Sequence, residues 1–310
     1  MEGVTDRAFR GIIRGLGGCG LTVTEFVSSE GLTREVQDAW RMAELDADEH
    51  PVSIQIYGRD PQRMADAARH CENLGADFVD INLGCPSKRV TSGCAGSALM
   101  KEPERAREIF DAVFDAITVP MTVKMRLGWS LDTLNAPEIA GSAVEAGAQM
   151  IAVHGRTRTC AYKGSARWAE IRHVKDAVPV PVLVNGDIIN PETARLALDA
   201  SGADGVMVGR GVMRDPWAIA RISASFRGAP EPEPTMDDRR DLLHEYVTRL
   251  GAQGPMGRRA VAKLRRVIGY LSKGMPNASK LRNAMNNVSE IPAAQELIDA
   301  YFDSLRARAA

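Results

Sequence analysis

The sequence is poor in aromatics, has no long apolar run and carries no paired cysteines. Phe, Trp and Tyr make up 5% of the 310 residues, so it does not advertise the stacking platform that grips single-stranded RNA. No apolar run approaches the roughly 20 residues of a bilayer-spanning helix, and no membrane association is expected. A charged-then-apolar leader is also missing, which argues against export. The five cysteines, Cys19, Cys71, Cys85, Cys94 and Cys160, are odd in number and irregular in spacing, with no Cys-x-x-Cys pair. They suit neither a disulfide framework nor a metal site, and a reducing cytoplasmic location is expected. Acidic residues are absent from one long stretch, Val247 to Ser289.

What is present is a core former, with 45% hydrophobic residues, enough for one large domain with a small one attached. Short apolar runs recur at Leu21–Phe26, Val52–Tyr57, Phe78–Asn82, Met121–Leu127, Met150–His154, Val182–Asn185 and Val206–Gly209. Helical patterns separate them, at Pro61–Leu74, Pro103–Ile117, Glu138–Ala146, Trp168–Ala177 and Pro191–Ala200, with Thr33–Leu45 a further candidate. Gly75-Ala76-Asp77, Gly147-Ala148-Gln149 and Gly202-Ala203-Asp204 each close a helix and enter a strand. Repeated βα units of this kind predict a parallel sheet. Polar residues end nearly every strand: Glu25, Gln55, Asn82, Lys124 with Arg126, His154, Asn185 with Asp187, and Arg210. That favours a (β/α)8 TIM barrel over an open doubly wound sheet, because such barrels build their sites at the C-terminal rim. Gly15-Leu16-Gly17-Gly18-Cys19-Gly20 matches the dinucleotide fingerprint, but it follows a helix and precedes a strand, the reverse of what that motif needs.

Residues 228–236 alternate proline and acid and read as a semi-rigid linker. Beyond it, Asp237–Leu250, Pro255–Ser272, Ser279–Asn286 and Ala293–Ala307 read as helices of a small all-α bundle. Residues 235–310 carry 13 Lys/Arg against 8 Asp/Glu, and the first 234 carry 26 against 32. Arg259, Lys263 and Arg266 fall at i, i+4 and i+7 and share one helix face, a footprint suited to a phosphate backbone.

The stretch that organises the chain is Phe78 to Lys88, running on to Gly96. A buried strand ends in Asn82-Leu83-Gly84-Cys85-Pro86, which puts a carboxamide and a thiol at the rim of the sheet. Most buried cysteines simply pack, but a packing cysteine needs neither the preceding Gly84 nor the following Pro86.

With these residues in view, Met1-Glu2-Gly3-Val4-Thr5-Asp6, Asp80-Ile81-Asn82-Leu83-Gly84-Cys85-Pro86, Lys124-Met125-Arg126, Val153-His154-Gly155-Arg156-Thr157, Asn185-Gly186-Asp187 and Gly209-Arg210 together resemble the flavin-dependent dihydrouridine synthases, most closely the bacterial DusB-like subgroup. The likeness covers nearly the whole chain. It implies an FMN-binding TIM barrel at residues 1–227, the linker at 228–236 and a helical RNA-binding domain at 237–310. Such enzymes use NADPH to reduce the C5=C6 bond of particular uridines in RNA, usually tRNA, with no protein partner expected; ribosomal RNA is the alternative substrate. The sequence departs from the family twice. The strand and Ala-Pro pair expected before Met1 are absent, so the barrel reads as lacking its first strand. Cys94 stands where the family reserves no cysteine.

The resemblance assigns roles. Reduction takes a hydride to C6 and a proton to C5, and Cys85 matches the residue that supplies the proton; a thiol with a pKa near ~8.5 stays protonated at neutral pH yet releases its proton readily. Lys124 matches the lysine beside the flavin's pyrimidine ring, where an ammonium offsets negative charge, and Gln55 the glutamine on the ring's edge. Met1, Glu2 and His154 line the FMN site. Asn185, Gly186, Asp187, Gly209 and Arg210 follow the last two strands, where βα barrels commonly bind phosphate. Asn82 and Arg126 meet the uracil, and Arg259, Lys263 and Arg266 the RNA backbone. Two other readings compete: an FMN barrel acting on a free pyrimidine, like a dihydroorotate dehydrogenase, and an RNA-binding scaffold without catalysis.

Overall fold

Each helix-to-strand junction of the Gly-Ala-Asp type does the same local work in the folded chain. Asp77 Oδ2 accepts the N–H of Val52 at 2.7 Å, and Asp204 Oδ2 accepts the N–H of Val182 at 2.7 Å. In both cases the aspartate entering one strand ties down the start of the preceding strand, and so sets its register. The computed structural model describes Met1, residues 3–254 and residues 258–309, the side chains of 258, 259, 308 and 309 excepted. It divides into two units, one of Met1 with Gly20–Gly209 and one of Glu2–Cys19 with Arg210–Ala310.

The first unit is a parallel sheet wrapped in helices. Its strands are β1 (Thr22–Val23), β2 (Val27–Ser28), β3 (Val52–Tyr57), β4 (Phe78–Leu83), β5 (Met121–Arg126), β6 (Met150–His154), β7 (Val182–Asn185) and β8 (Gly205–Met207). Pairing runs from β1 through β3 to β8 in order, with β2 also on β3. Crossover helices, among them Pro61–Asn73, Pro103–Phe114, Ala136–Glu145 and Pro191–Ser201, connect the strands. This is the architecture of a (β/α)8 barrel with seven strand positions filled, β1 and β2 sharing one. The sheet interior is Val, Ile, Leu and Met, with Val52, Ile54, Ile56, Val79, Ile81, Val123 and Met125 fully buried.

The sequence predicts one strand over Leu21–Phe26, and the chain instead makes two short pieces. Thr22 pairs Val52, whereas Val27 pairs Ile56, so the first strand carries one residue more than its partner: a β-bulge. The Thr24 hydroxyl accepts the Gln55 N–H at 3.1 Å, replacing the carbonyl that an unbroken ladder would have offered. Two helical patterns also differ from expectation. The Trp168–Ala177 pattern begins as a 3-10 turn over Trp168–Ile171 before becoming helical, and Thr33–Leu45 resolves into helices Ser29–Thr33 and Gln37–Ala43. The short helix Lys88–Thr91 and the 3-10 turn Gly96–Lys101 have too few residues for periodicity to reveal them.

The second unit is helical. It gathers Arg7–Gly15, Gly211–Arg214, Ala218–Phe226, Met236–Ala252, Arg258–Leu271, Ala278–Met285 and Ile291–Ala309. Asp6 caps the first of these, accepting the Phe9 N–H at 2.9 Å, and Thr235 with Asp238 forms a capping box on Met236–Ala252. Its core includes Leu243, Tyr246, Val247, Leu264, Val267, Ile268 and Ile298. Residues 229–235 form neither helix nor strand, and the Pro232 carbonyl accepts from Arg221 Nε at 3.0 Å. No described helix is long and apolar enough to cross a membrane.

Candidate active site at the C-terminal rim of the sheet

Strand register decides which polar side chains meet. Gln55 on β3 pairs Asp80 on β4, Asp80 pairs Thr122 on β5, and Asn82 pairs Lys124. Asp80 and Asn82 are two apart on one strand and so share a face. On the same side, Arg126 ends β5 opposite His154, which ends β6 opposite Asn185 at the end of β7. The sheet thus brings Gln55, Asn82, Lys124, Arg126, His154 and Asn185 to one rim.

The thiol loop hangs from this rim by its backbone. Asn82 Oδ1 accepts the N–H of Gly84 at 3.0 Å and of Cys85 at 2.8 Å. Ser97, twelve residues on, donates its hydroxyl to the Cys85 carbonyl at 2.7 Å. Cys85 is buried against Val90 and Ala95, with Phe26 and Tyr57 packed alongside. Gly96 closes the loop at φ +59°, and a Cβ there would lie 2.8 Å from Val90 Cγ1. Cys94 adopts φ +53° and is partly exposed. By contrast, burial pushes the Cys71 thiol up to about 12, which makes it an inert packing residue.

Three charged groups lie inside the rim, and Arg126 and Asp80 both act on Lys124. Burial, then the nearby Arg126 guanidinium, lower the Lys124 amine to about 7, and Asp80 offsets part of this. Among the described residues no hydrogen bond or ion pair reaches the Lys124 ammonium. Burial raises the Asp80 carboxyl, against hydrogen bonds from Thr122 Oγ1 and Gln55 Nε2 and the charge of Lys124. Burial also lowers Arg126, whose side chain is 1% exposed.

Arg126 spends its donors on backbone. Nε donates to the Gly84 carbonyl at 2.7 Å, and Nη1 to the carbonyls of Thr157 at 2.9 Å and Ala161 at 2.8 Å. The exposed Tyr162 ring covers the guanidinium, 5.5 Å from Cζ to centroid. Arg126 therefore staples the Cys85 loop to the loop after β6.

The loop after β7 has a different brace. Asp187, at φ +56°, receives two bonds from Arg156, at 3.0 and 2.7 Å, and the Ala166 N–H at 2.8 Å. Its carboxylate shapes the loop; any phosphate contact there would come from backbone N–H groups. A Cβ on Gly186 would lie 2.6 Å from His154 Cδ2, so glycine at 186 leaves room for the imidazole. Asn185 Nδ2 donates to the Met207 carbonyl at 2.7 Å, and Gly209 lies just beyond β8.

The remaining expected site residues are distributed as follows. Met1 falls in the barrel unit and Glu2 lies outside the described residues. Arg210, Lys263 and Arg266 belong to the helical unit, and the Arg259 side chain lies outside the described residues. Lys263 Nζ stands 3.6 Å from the buried Asp6 Oδ2, and Arg266 Nη1 donates to the Gly3 carbonyl at 3.0 Å. Sequence reasoning missed Asp80, Ser97, Thr122 and Arg156 as contributors. For Asp80 a signal existed, since a carboxylate inside a buried strand needs a partner. Arg156 and Ser97 act through contacts that only the folded loops create.

A family description, dihydrouridine synthase (Dus), matches residues 1–306. A probable tRNA-dihydrouridine synthase of Rhodobacter capsulatus is 42% identical over 312 residues, covering 99% of this chain and 94% of that protein. One from Rickettsia conorii is 40% identical over 308 residues, covering 98% and 92%. The tRNA-dihydrouridine synthase B of Yersinia pestis is 38% identical over 308 residues, covering 98% and 95%. On the strength of matches that run along essentially the full chain, it belongs to the dihydrouridine synthase family.

Proposed function

We propose that this protein reduces the C5=C6 bond of particular uridines in tRNA to 5,6-dihydrouridine, with Cys85 giving the proton to C5. Residues 1–227 carry the catalytic barrel and residues 237–310 the RNA-binding helices, joined by 228–236. FMN, reduced by NADPH, supplies the hydride when bound.

The observation that carries this reading is Lys124. A half-buried amine at the rim of a sheet, pushed to about 7 and without a hydrogen-bonding partner among the described residues, is costly unless a ligand completes it. A ring edge that is acceptor-rich and gains negative charge on reduction suits it, and this donor set fits the pyrimidine side of FMN. Lys124 and Gln55 would hold that edge, His154 would flank it, and backbone N–H groups at Gly186, Asp187 and Gly209 would receive the phosphate, with Asn185 setting the turn. Met1 would border the same site.

The chain's own contribution to the chemistry is position and proton supply. Asn82 and Ser97 fix the Cys85 backbone, so the thiol meets one face of a base entering the rim. Arg126 holds the two loops that frame that entry and Asn82 lies beside it, so both would act on the uracil. Basic residues of Arg258–Leu271, including Arg259, Lys263 and Arg266, would contact phosphates. Two measurements on the purified protein and a deletion strain test the reading. It expects about one noncovalent flavin per chain, and loss of dihydrouridine at defined tRNA positions in the deletion strain. Flavin with reduction of free orotate and unchanged tRNA would favour the free-pyrimidine enzyme, and RNA binding without flavin the scaffold.

A further inference from the structure

We propose that Asp80 is a positioning residue for this reaction: its carboxylate sets the polarity of a side-chain ladder that orients Gln55 and Asn82 and, through Asn82, holds the Cys85 loop. The inference rests on the reading of Cys85 as proton donor and Gln55 as a cofactor contact.

The ladder crosses three strands. Thr122 Oγ1 donates to Asp80 Oδ1 at 2.6 Å, and Gln55 Nε2 donates to Asp80 Oδ2 at 2.6 Å. Asn82 Nδ2 donates to Gln55 Oε1 at 2.6 Å, and Asn82 Oδ1 receives the N–H groups of Gly84 and Cys85. Gln55, Asp80, Asn82 and Thr122 are all buried, so a mispaired donor finds no water to compensate it.

Both ends of the ladder have fixed polarity. An ionised carboxylate only accepts, and a backbone N–H only donates. Between them stand two carboxamides, each free in principle to turn its oxygen either way. Of the four combinations, one alone pairs every donor with an acceptor. With Gln55 reversed, its oxygen faces the carboxylate; with Asn82 reversed, its NH2 faces two N–H groups. The carboxylate therefore enforces from one end, through Gln55, the same direction of Asn82 that the Gly84 and Cys85 N–H groups require from the other. It also decides which atoms of Gln55 remain for a ligand. Burial is the strongest influence on the Asp80 carboxyl and raises it, with the two donated bonds and the Lys124 charge opposing it; the bond accepted by each oxygen at 2.6 Å is what the acceptor form makes.

A carboxamide at position 80 keeps the shape but removes the constraint, because it can offer either an oxygen or an NH2 to Gln55. The test is the rate at which iodoacetamide alkylates Cys85 in FMN-free protein, read on the Cys85 peptide by mass spectrometry, with FMN affinity measured in parallel. Asp80→Asn should speed alkylation about tenfold, the difference between a charge-assisted and a neutral hydrogen bond, and should weaken FMN binding by several-fold. The swap Asp80→Asn with Gln55→Glu distinguishes orientation from mere packing. The new amide at 80 then donates to the new carboxylate at 55, which accepts from Asn82, so Asn82 keeps its direction. Alkylation should return to within about twofold of wild type, while FMN affinity stays low because position 55 has lost its donor.

Wild-type alkylation and FMN affinity in Asp80→Asn, or a swap no slower than the single variant, would overturn the inference. If Asp80→Asn does not fold, Thr122→Val removes one donor and must move both readouts the same way by a smaller factor; no change would be equally fatal. Wild-type protein that holds no flavin and makes no dihydrouridine would defeat the functional reading instead, and the alkylation series would still report on the ladder.

Discussion

Lys124 makes a prediction that needs no cofactor at all. Its folded pKa is about 7 against an ordinary 10.5. Between those values the unfolded chain carries a proton on this amine that the folded chain has released. Stability therefore rises with pH across the window from about 7 to 10.5, and the burden is largest below it, where the folded protein must bury the charge. The full shift corresponds to about 5 kcal/mol, of which about 2.3 kcal/mol falls between pH 7 and 9, because the folded amine is still half protonated at 7. Lys124 is partly exposed, and solvent screening brings the expected gain to about 1–3 kcal/mol. Lys124→Met removes the titration. In FMN-free protein, the wild type should gain on Lys124→Met over that range by roughly 2–6 °C in Tm, at about 2 °C per kcal/mol for a chain of this size. Losing Lys124 also removes a charge that holds the Asp80 carboxyl down against burial. Melting curves at several pH values measure the difference directly, and parallel Tm–pH lines for the two proteins would refute the claim that Lys124 is held below its ordinary range.

Three other outcomes are expected. Cys85→Ala should retain FMN and its reduction by NADPH but form no dihydrouridine in unmodified tRNA, whereas Cys94→Ala should remain active; reversed phenotypes would move the acid to Cys94. Arg126→Lys, which cannot reach three carbonyls at once, should destabilise the fold by about 1–3 kcal/mol and speed Cys85 alkylation, and an unchanged denaturation midpoint would remove the staple. In the helical unit, Arg265, Lys273 and Lys280 are exposed, and changing all three to Gln should flatten the log–log salt dependence of tRNA binding by about two units. Lys263→Gln should lower Tm, since it faces the buried Asp6, and flatten the same slope by about one unit; an unchanged slope would take Lys263 off the RNA.

The barrel was legible because its signals repeat. Gly-Ala-Asp junctions and apolar runs marked nearly every strand, and the polar residue ending each strand marked the rim. What escaped was whatever depends on a neighbour's register. Nothing local announces that Leu21–Phe26 carries one residue too many, since the bulge exists only relative to β3. The pattern at Arg259, Lys263 and Arg266 placed three cations on one face by spacing alone. It had no means of showing that Lys263 would meet Asp6, or that Arg266 would meet the Gly3 carbonyl, across more than 250 residues of sequence. Asp80 stood inside the most conspicuous stretch of the chain, yet its part follows from the hydrogen-bond directions of two amides, which a linear sequence does not carry.

The Arg126 staple has a consequence for how the rim opens. Gly84 is far along the chain from Thr157 and Ala161, yet the three carbonyls converge on one guanidinium. Releasing either loop alone would strand a buried charge with part of its partners gone, so the cheaper excursion is the joint release of both. Local unfolding follows such cooperative units rather than secondary-structure boundaries. Amide protons over Gly84–Ser97 and Thr157–Lys163 should therefore exchange with deuterium at a common opening free energy, and separately from the helices that flank them in sequence. A thiol loop that breathes only together with the loop after β6 keeps Cys85 shielded until the whole rim is open.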